Sequence, residues 1–196
     1  RDLDGGRPGC IWRVQGGRLA VLVPLDGTGD LNQARTAIET ARVNSQARLN
    51  GRTLSAGLGR FHAGPMGLRR AFREAEQALT IAQLLFGGDR LADFRDLGVF
   101  RLLFPLQGST ELRSFFDETL GALVHYDKKN NTELASTLET FFASRGNLQR
   151  TAEALFLHRN TLSYRLGRVE DLTGLDLDDA EDCFRLQLAL KIGRIL

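Results

Sequence analysis

The sequence predicts an α+β domain at the N-terminus followed by an all-α domain that contains a helix-turn-helix. Three observations carry this prediction. Short apolar runs punctuated by glycine alternate with longer helical patterns over residues 1–104. From Glu111 to the end the strand signals stop and helical periodicity continues. Within that second part Asn147–Leu172, NLQRTAEALFLHRNTLSYRLGRVEDL, reads as two short helices joined by a tight turn.

The elements follow in order. Cys10–Val14 and Leu19–Val23 read as strands around the turn Gln15-Gly16-Gly17-Arg18. Asp30 is placed to cap a helix running to about Leu49. Leu31, Ala34, Ala37, Ile38 and Ala41 lie on one side, and Asn50-Gly51 ends it. Thr53–Leu58 is a short strand. Pro65 precedes a helix over about Gly67–Leu85, which Gly87-Gly88 stops. Leu91–Phe94 fits an edge strand, giving helices packed on one small sheet. Residues 105–110, PLQGST, read as a linker. Helices are then expected over Glu111–Tyr126 and Thr132–Ser144, before the helix pair. A last helix spans about Ala180–Ile195, with Asp178 and Glu181 as its capping box. That helix is apolar on more than one side and needs two partners, within the chain or in a second subunit. The domains are thus 1–104 and 111–196, with the helix-turn-helix at 147–172.

In the helix pair, Asn147 is a good N-cap, and Leu148, Ala152 and Leu155 form a narrow apolar stripe. Leu157 is the turn residue expected to plug the core between the helices. In the second helix Leu162, Leu166 and Val169 share one face. At about 3.6 residues per turn, Asn160, Tyr164, Gly167 and Arg168 fall opposite, flanked by Thr161 and Ser163. Arg159 and Arg165 lie nearer the apolar edge, placed either to reach phosphates or to hold a neighbouring helix.

Charge is segregated rather than large. The formal net charge of the 196 residues is +2. Between Arg145 and Arg168 stand five arginines and His158 against one acid, Glu153. Glu170, Asp171, Asp176, Asp178, Asp179, Glu181 and Asp182 follow at once. Such local separation of sign suits a surface that meets phosphates. An amphipathic pair with solvated arginines is the plainer alternative.

The run FFDETLGALVHYD at Phe115–Asp127 and the run from Glu133 to Leu190, with HRNTLSYRL followed by LTGLDLDD, closely resemble the C-terminal region of the PucR and CdaR types of bacterial transcriptional regulator. The resemblance implies a Fis-like helix-turn-helix. Phe156 stands where many helix-turn-helix proteins carry glycine, and an aromatic there is usual for this family. Upstream, IWRVQGGRLAVLVPL, TLSAGLG, GLRRAFREAEQALTIAQ and LADFRDLGVFRLL resemble the degenerate GGDEF-like domain of the same family. In that family a sensory domain usually lies upstream. The start at Arg1 suggests a fragment whose first GGDEF-like strand and effector-binding domain lie elsewhere.

No catalytic or metal site is expected. Catalysis by a diguanylate cyclase requires acids after the glycines to hold a divalent metal. Here Arg18 and Leu19 follow, and Asp2 and Asp4 are not in a context to replace them. His62, His125 and His158 are far apart and in no metal motif. His62 reads as a loop residue, and His125 as a residue at a helix C-terminus. Gly57-x-Gly59 is not extended to a phosphate loop. Cys10 and Cys183 lack metal spacing, and no apolar run approaches the length of a bilayer span, so a cytoplasmic protein without cofactor is expected.

The resulting expectation is a homodimer on double-stranded DNA. Asn160, Thr161, Ser163, Tyr164 and Arg168 are the candidates for reading base edges, and Arg150, His158, Arg159 and Arg165 those for anchoring phosphates. A small-molecule effector is assigned to the upstream domain. The alternatives are an interaction or dimerisation module, or a degenerate nucleotide sensor, without direct DNA readout.

Overall fold

The computed structural model describes residues 10–25, 30–46, 48–49 and 52–196. It divides into two compact units, Arg1–Phe104 and Pro105–Leu196. Asp2, Asp4 and the Asn50-Gly51 stop lie outside the described residues.

The first unit opens with a hairpin, β1 Ile11–Gln15 antiparallel to β2 Arg18–Leu22. Gly16 and Gly17 both have positive φ, 57° and 75°, as a two-residue turn of matching twist requires. The pairing sets Trp12 beside Val21 and Val14 beside Leu19. Helix α1 spans Leu31–Gln46, ending short of Leu49. Its buried face holds Leu31 and Ala34, but also Arg42 in place of a further apolar residue, while Ala37 is exposed. Arg42 is tolerated there because Glu39, Asp89 and the Leu54 carbonyl accept hydrogen bonds from its Nε, Nη1 and Nη2.

Strand β3, Ala56–Leu58, runs parallel to β4, Leu91–Asp93, with helix α2, Gly64–Phe86, as the crossover. Among the described residues the expected small sheet is two separate two-stranded sheets. Both inner strands are shorter than the periodicity predicted, because a three-residue ladder is all that pairs. Gly57 and Gly59 are needed for packing. A Cβ at either would collide with the Ala75 or Ala71 carbonyl of α2. Ala78, Ile81, Ala82, Ala92, Phe94 and Leu97 form the core. Gly87, at φ 76°, ends α2 and donates its N–H to the Gln83 carbonyl.

At the exit of β3 the buried Glu74 carboxylate of α2 accepts from the Arg60 backbone N–H at 3.0 Å and from Arg60 Nη2 at 2.7 Å. His62 Nε2 lies 3.0 Å away and Arg70 Nε 3.3 Å away. His62 is thus a loop residue tied into an ion-pair cluster. Burial alone would raise the Glu74 carboxyl, but the Arg60 and His62 hydrogen bonds outweigh it and hold it at about 2.

After a short helix, α3 Phe100–Leu103, and a turn of 3₁₀ helix over Phe104–Leu106, the second unit is helical throughout. Residues 105–110 are thus not a plain linker: Pro105 and Leu106 sit in that turn, and Thr110 already opens a helix. Helix α4 spans Thr110–Asn130, α5 Leu134–Ala143, α6 Leu148–Leu155, α7 Arg159–Thr173 and α8 Ala180–Gly193. Because α4 runs on past Tyr126, His125 sits inside it rather than at its end. The core joins Leu120, Leu123, Leu138, Phe141, Leu162, Leu166, Val169, Leu186 and Ala189. Helix α8 buries Leu186, Ala189 and Ile192 against its own chain, chiefly α4 and α5. Its cap is Asp179, not Asp178; the Asp179 carboxylate accepts from the N–H groups of Glu181 and Asp182, both at 2.9 Å. Asp178, one residue before the cap, donates its backbone N–H to Asp176 at 2.7 Å.

Candidate nucleic-acid interface

Helix α6 begins where the sequence placed it. The Asn147 side chain accepts the Arg150 N–H at 2.9 Å. Thr151, fully buried, donates to the Asn147 carbonyl at 2.7 Å, and Ala152 lies beneath it in the core. The helix ends at Phe156, which adopts the left-handed conformation at φ 55° and ψ 38°. Phe156 fills the place of a C-terminal glycine geometrically, with its ring 96% exposed. Leu157 is half-buried, but it does not plug the core. It lines an open surface groove with Leu148, Gln149, Ala152, Glu153, Phe156 and Arg159. Leu148 and Leu155 supply the apolar packing instead.

His158 caps α7, its Nδ1 accepting the Asn160 N–H at 3.3 Å. An imidazole that accepts at Nδ1 keeps its proton on Nε2 when neutral, leaving one outward donor. Beyond the cap, Arg159, Asn160, Thr161, Ser163 and Tyr164 are all exposed, Tyr164 to 71%. Leu162, Leu166 and Val169 are buried on the opposite side. The start of α7 therefore presents donors, acceptors and cationic charge to solvent from a helix fixed on its inner face. The partial positive charge of the helix N-terminus adds to that field.

The other two arginines of α7 point elsewhere. Arg165 Nη1 donates to Thr137 Oγ1 of α5 at 3.1 Å and lies 4.0 Å from the Glu133 carboxylate. The guanidinium of Arg168 lies 4.9 Å from the centroid of the Tyr126 ring, and its Nη1 is 3.4 Å from Asp171. Arg168 also lies nine residues beyond Arg159, about 14 Å further along the helix axis. The structure thus brings Asn160, Thr161, Ser163 and Tyr164 together with Arg159 and His158. It sets Arg165 and Arg168 against neighbouring helices. Arg150 is exposed on α6.

Periodicity could not have shown the supports of this surface. Thr137 and Tyr126 touch α7 from other helices, and only the folded arrangement reveals it. Asp127 is another such residue. From the end of α4 its carboxylate accepts the N–H groups of Leu134 and Ala135, both at 2.9 Å, and the Thr132 hydroxyl at 2.6 Å. It caps α5, whose own N-cap residue Glu133 makes no side-chain cap bond.

Among the described residues no group of His, Cys, Asp and Glu is arranged to hold a metal ion. No described helix is long and apolar enough to cross a membrane. Cys10 and Cys183 are both free. Arg18, directly after the hairpin glycines, lies 3.8 Å from Glu76, and both side chains are exposed.

Two family models match this chain. Residues 134–192 match the PucR C-terminal helix-turn-helix domain, and residues 1–81 match the GGDEF-like domain. The chain is 34% identical over 135 residues to the carbohydrate diacid regulator of Escherichia coli (strain K12), covering 69% of this chain and 34% of that one. It is 30% identical over 147 residues to the purine catabolism regulatory protein of Bacillus subtilis (strain 168), covering 74% and 27%. The DNA-binding transcriptional activator AdeR of the same organism is 27% identical over 63% of this chain and 29% of its own length. The chain thus spans about a third of the length of the curated relatives it matches. With a GGDEF-like domain ahead of the PucR-type helix-turn-helix, the chain belongs to the PucR/CdaR-type family of transcriptional regulators.

Proposed function

We propose that this chain binds double-stranded DNA by seating the N-terminal half of α7 in the major groove. The observation that carries the reading is the exposed cluster at the start of α7, opposite a fully buried apolar stripe. Asn160, Thr161, Ser163 and Tyr164 approach base edges there. Arg150, Arg159 and the outward Nε2–H of His158 bind phosphate oxygens. Arg165 and Arg168 hold the helix in place against α5 and α4, a support role that their contacts favour over direct readout.

One such unit offers few contacts, so we propose a homodimer on two half-sites about 34–36 Å apart. The names of the relatives favour control of a catabolic pathway, and we place that role in the cytoplasm. We place effector sensing in a part of the protein other than these 196 residues. A small molecule that raises the melting temperature of this chain would refute that placement. We also propose that the GGDEF-like unit is not a cyclase, because Arg18 and Leu19 follow its hairpin glycines where metal-holding acids would be required. Calorimetry with GTP and cyclic di-GMP, with and without magnesium, tests this; a clean heat of binding would overturn it.

The deciding experiment for DNA binding is selection of bound duplexes from a random pool, followed by anisotropy titration of the recovered sequence. A palindromic consensus with salt-sensitive binding is the expected result. No salt-dependent association at micromolar protein, with circular dichroism intact, would instead mark α6 and α7 as an interaction module.

A further inference from the structure

The left-handed backbone and exposed ring of Phe156 both count against this residue in the free chain. A Cβ is strained at positive φ, and glycine would relieve it. A phenyl ring in water gains nothing from burial. The ring is not part of the helical core, to which α6 contributes Leu148, Ala152 and Leu155. With Leu157 it forms the apolar lip of the groove that ends at Arg159.

We propose that Phe156 is an apolar contact to duplex DNA. Its ring packs on deoxyribose carbons or a thymine methyl at the wall of the major groove while the start of α7 lies within the groove. The proposal rests on the DNA reading of α7 and adds a residue that carries no charge. Position supports it. Phe156 precedes Arg159 by three residues, so their Cα atoms lie no more than about 11 Å apart. The major groove is about 12 Å wide, so a docked α7 N-terminus brings the turn to the groove wall. Charge supports it as well. Arg150 and Arg159 stand on either side of the ring in sequence. The one acid on the groove, Glu153, is engaged by Gln149 Nε2 at 3.1 Å. Across Arg145–Arg168 five arginines outnumber that one acid, and a segment of that sign favours a polyanion over an apolar protein partner.

Phe156→Gly and Phe156→Asn test the proposal, because both residues accept the left-handed conformation and leave the fold intact. The full chain is titrated against a duplex recovered from the random pool. Each variant is expected to raise Kd about tenfold, as for the loss of one apolar anchor. The slope of log K against log salt stays unchanged, since no cation is lost. Arg159→Ala in the same assay lowers that slope by about one. Replacing thymine by deoxyuridine assigns the contact: weaker binding of the parent but not of the variants identifies the methyl, and no change identifies the sugar. Parent-like affinity of both Phe156 variants, with weakened Arg159→Ala, overturns the proposal and leaves the DNA reading standing. Failure of the parent to bind any duplex overturns both. Loss of self-association by the variants in sedimentation, with monomer affinity for one half-site unchanged, assigns the ring to a second copy and also overturns it.

Discussion

Arg165 of α7 donates from Nη1 to Oγ1 of the fully buried Thr137 in α5, at 3.1 Å. Thr137 spends its own proton on the Glu133 carbonyl at 2.8 Å, so its oxygen is left with a lone pair for Arg165. The bond joins the helix proposed to enter DNA to the helix behind it. Arg165, which the sequence left either to reach phosphates or to hold a neighbouring helix, makes the second kind of contact here.

Thr137→Val should therefore weaken DNA binding without touching the surface or changing its charge. The isosteric valine removes the hydrogen-bond acceptor from the half-buried Arg165 group, at about 1 kcal/mol of stability. We expect a Kd increase of about threefold to tenfold with the salt slope unaltered. Anisotropy at several salt concentrations measures both. A full-strength Thr137→Val, beside an Arg165→Ala that lowers the slope, would return Arg165 to the phosphate anchors.

Asp127 makes a similar link in the opposite direction along the chain. Its carboxylate satisfies two N–H groups at the start of α5 and the Thr132 hydroxyl. Asp127→Ala should cost about 0.5–2 kcal/mol, the usual range for a lost helix cap. Urea unfolding should show a lower midpoint at constant m, and Asp127→Asn should recover part of the loss. An unchanged midpoint in Asp127→Ala would mean that solvent caps α5 equally well.

How much of this was legible beforehand depends on the range of the interaction. Leu162, Leu166 and Val169 obey a local period, so the buried face of α7 could be read directly. Asn147 caps within its own turn, and it too was readable. Gly16 and Gly17 announced their hairpin. What the sequence did not show was long-range or competitive. Nothing near Arg168 in sequence reveals Tyr126, which lies on α4 with two helices between. Asp178 and Asp179 are equally good caps by residue type. The choice falls to Asp179 because the helix starts at Ala180, one residue later than a cap at Asp178 would need. Arg42 disguised a core-facing position of α1 behind a charge that only its folded partners neutralise.

These placements redirect the specificity test from Arg168 to Asn160. Asn160 is exposed in the first turn of α7, and a carboxamide can make a bidentate pair with adenine. Asn160→Ala should weaken the selected duplex by about tenfold to a hundredfold while barely changing random DNA. Arg168 is engaged by Tyr126 and Asp171, so Arg168→Ala should leave the ratio of the two affinities unchanged. Competition titrations against both duplexes measure that ratio. A selective loss in Arg168→Ala would show that Arg168 leaves Tyr126 on binding and reads a base.

The GGDEF-like unit should show an acid-dependent stability set by Glu74. Its carboxyl sits at about 2 in the folded chain against an ordinary value of 4.5. A depressed folded value means that the unfolded chain takes up the proton first. The contribution is therefore complete above about pH 4.5 and falls away as pH drops towards 2. Its size is on the order of 3 kcal/mol, and Glu74 is buried enough for solvent to screen little of it. Glu74→Gln, which mimics the protonated side chain in shape, should be destabilised at pH 7. It should approach the parent as pH falls through that window. Urea unfolding of both chains followed by circular dichroism gives the gap at each pH. A gap that stays constant from pH 7 to pH 2.5 would mean that the Arg60–Glu74 pair adds no net stability, its Coulombic gain cancelled by the desolvation of both partners.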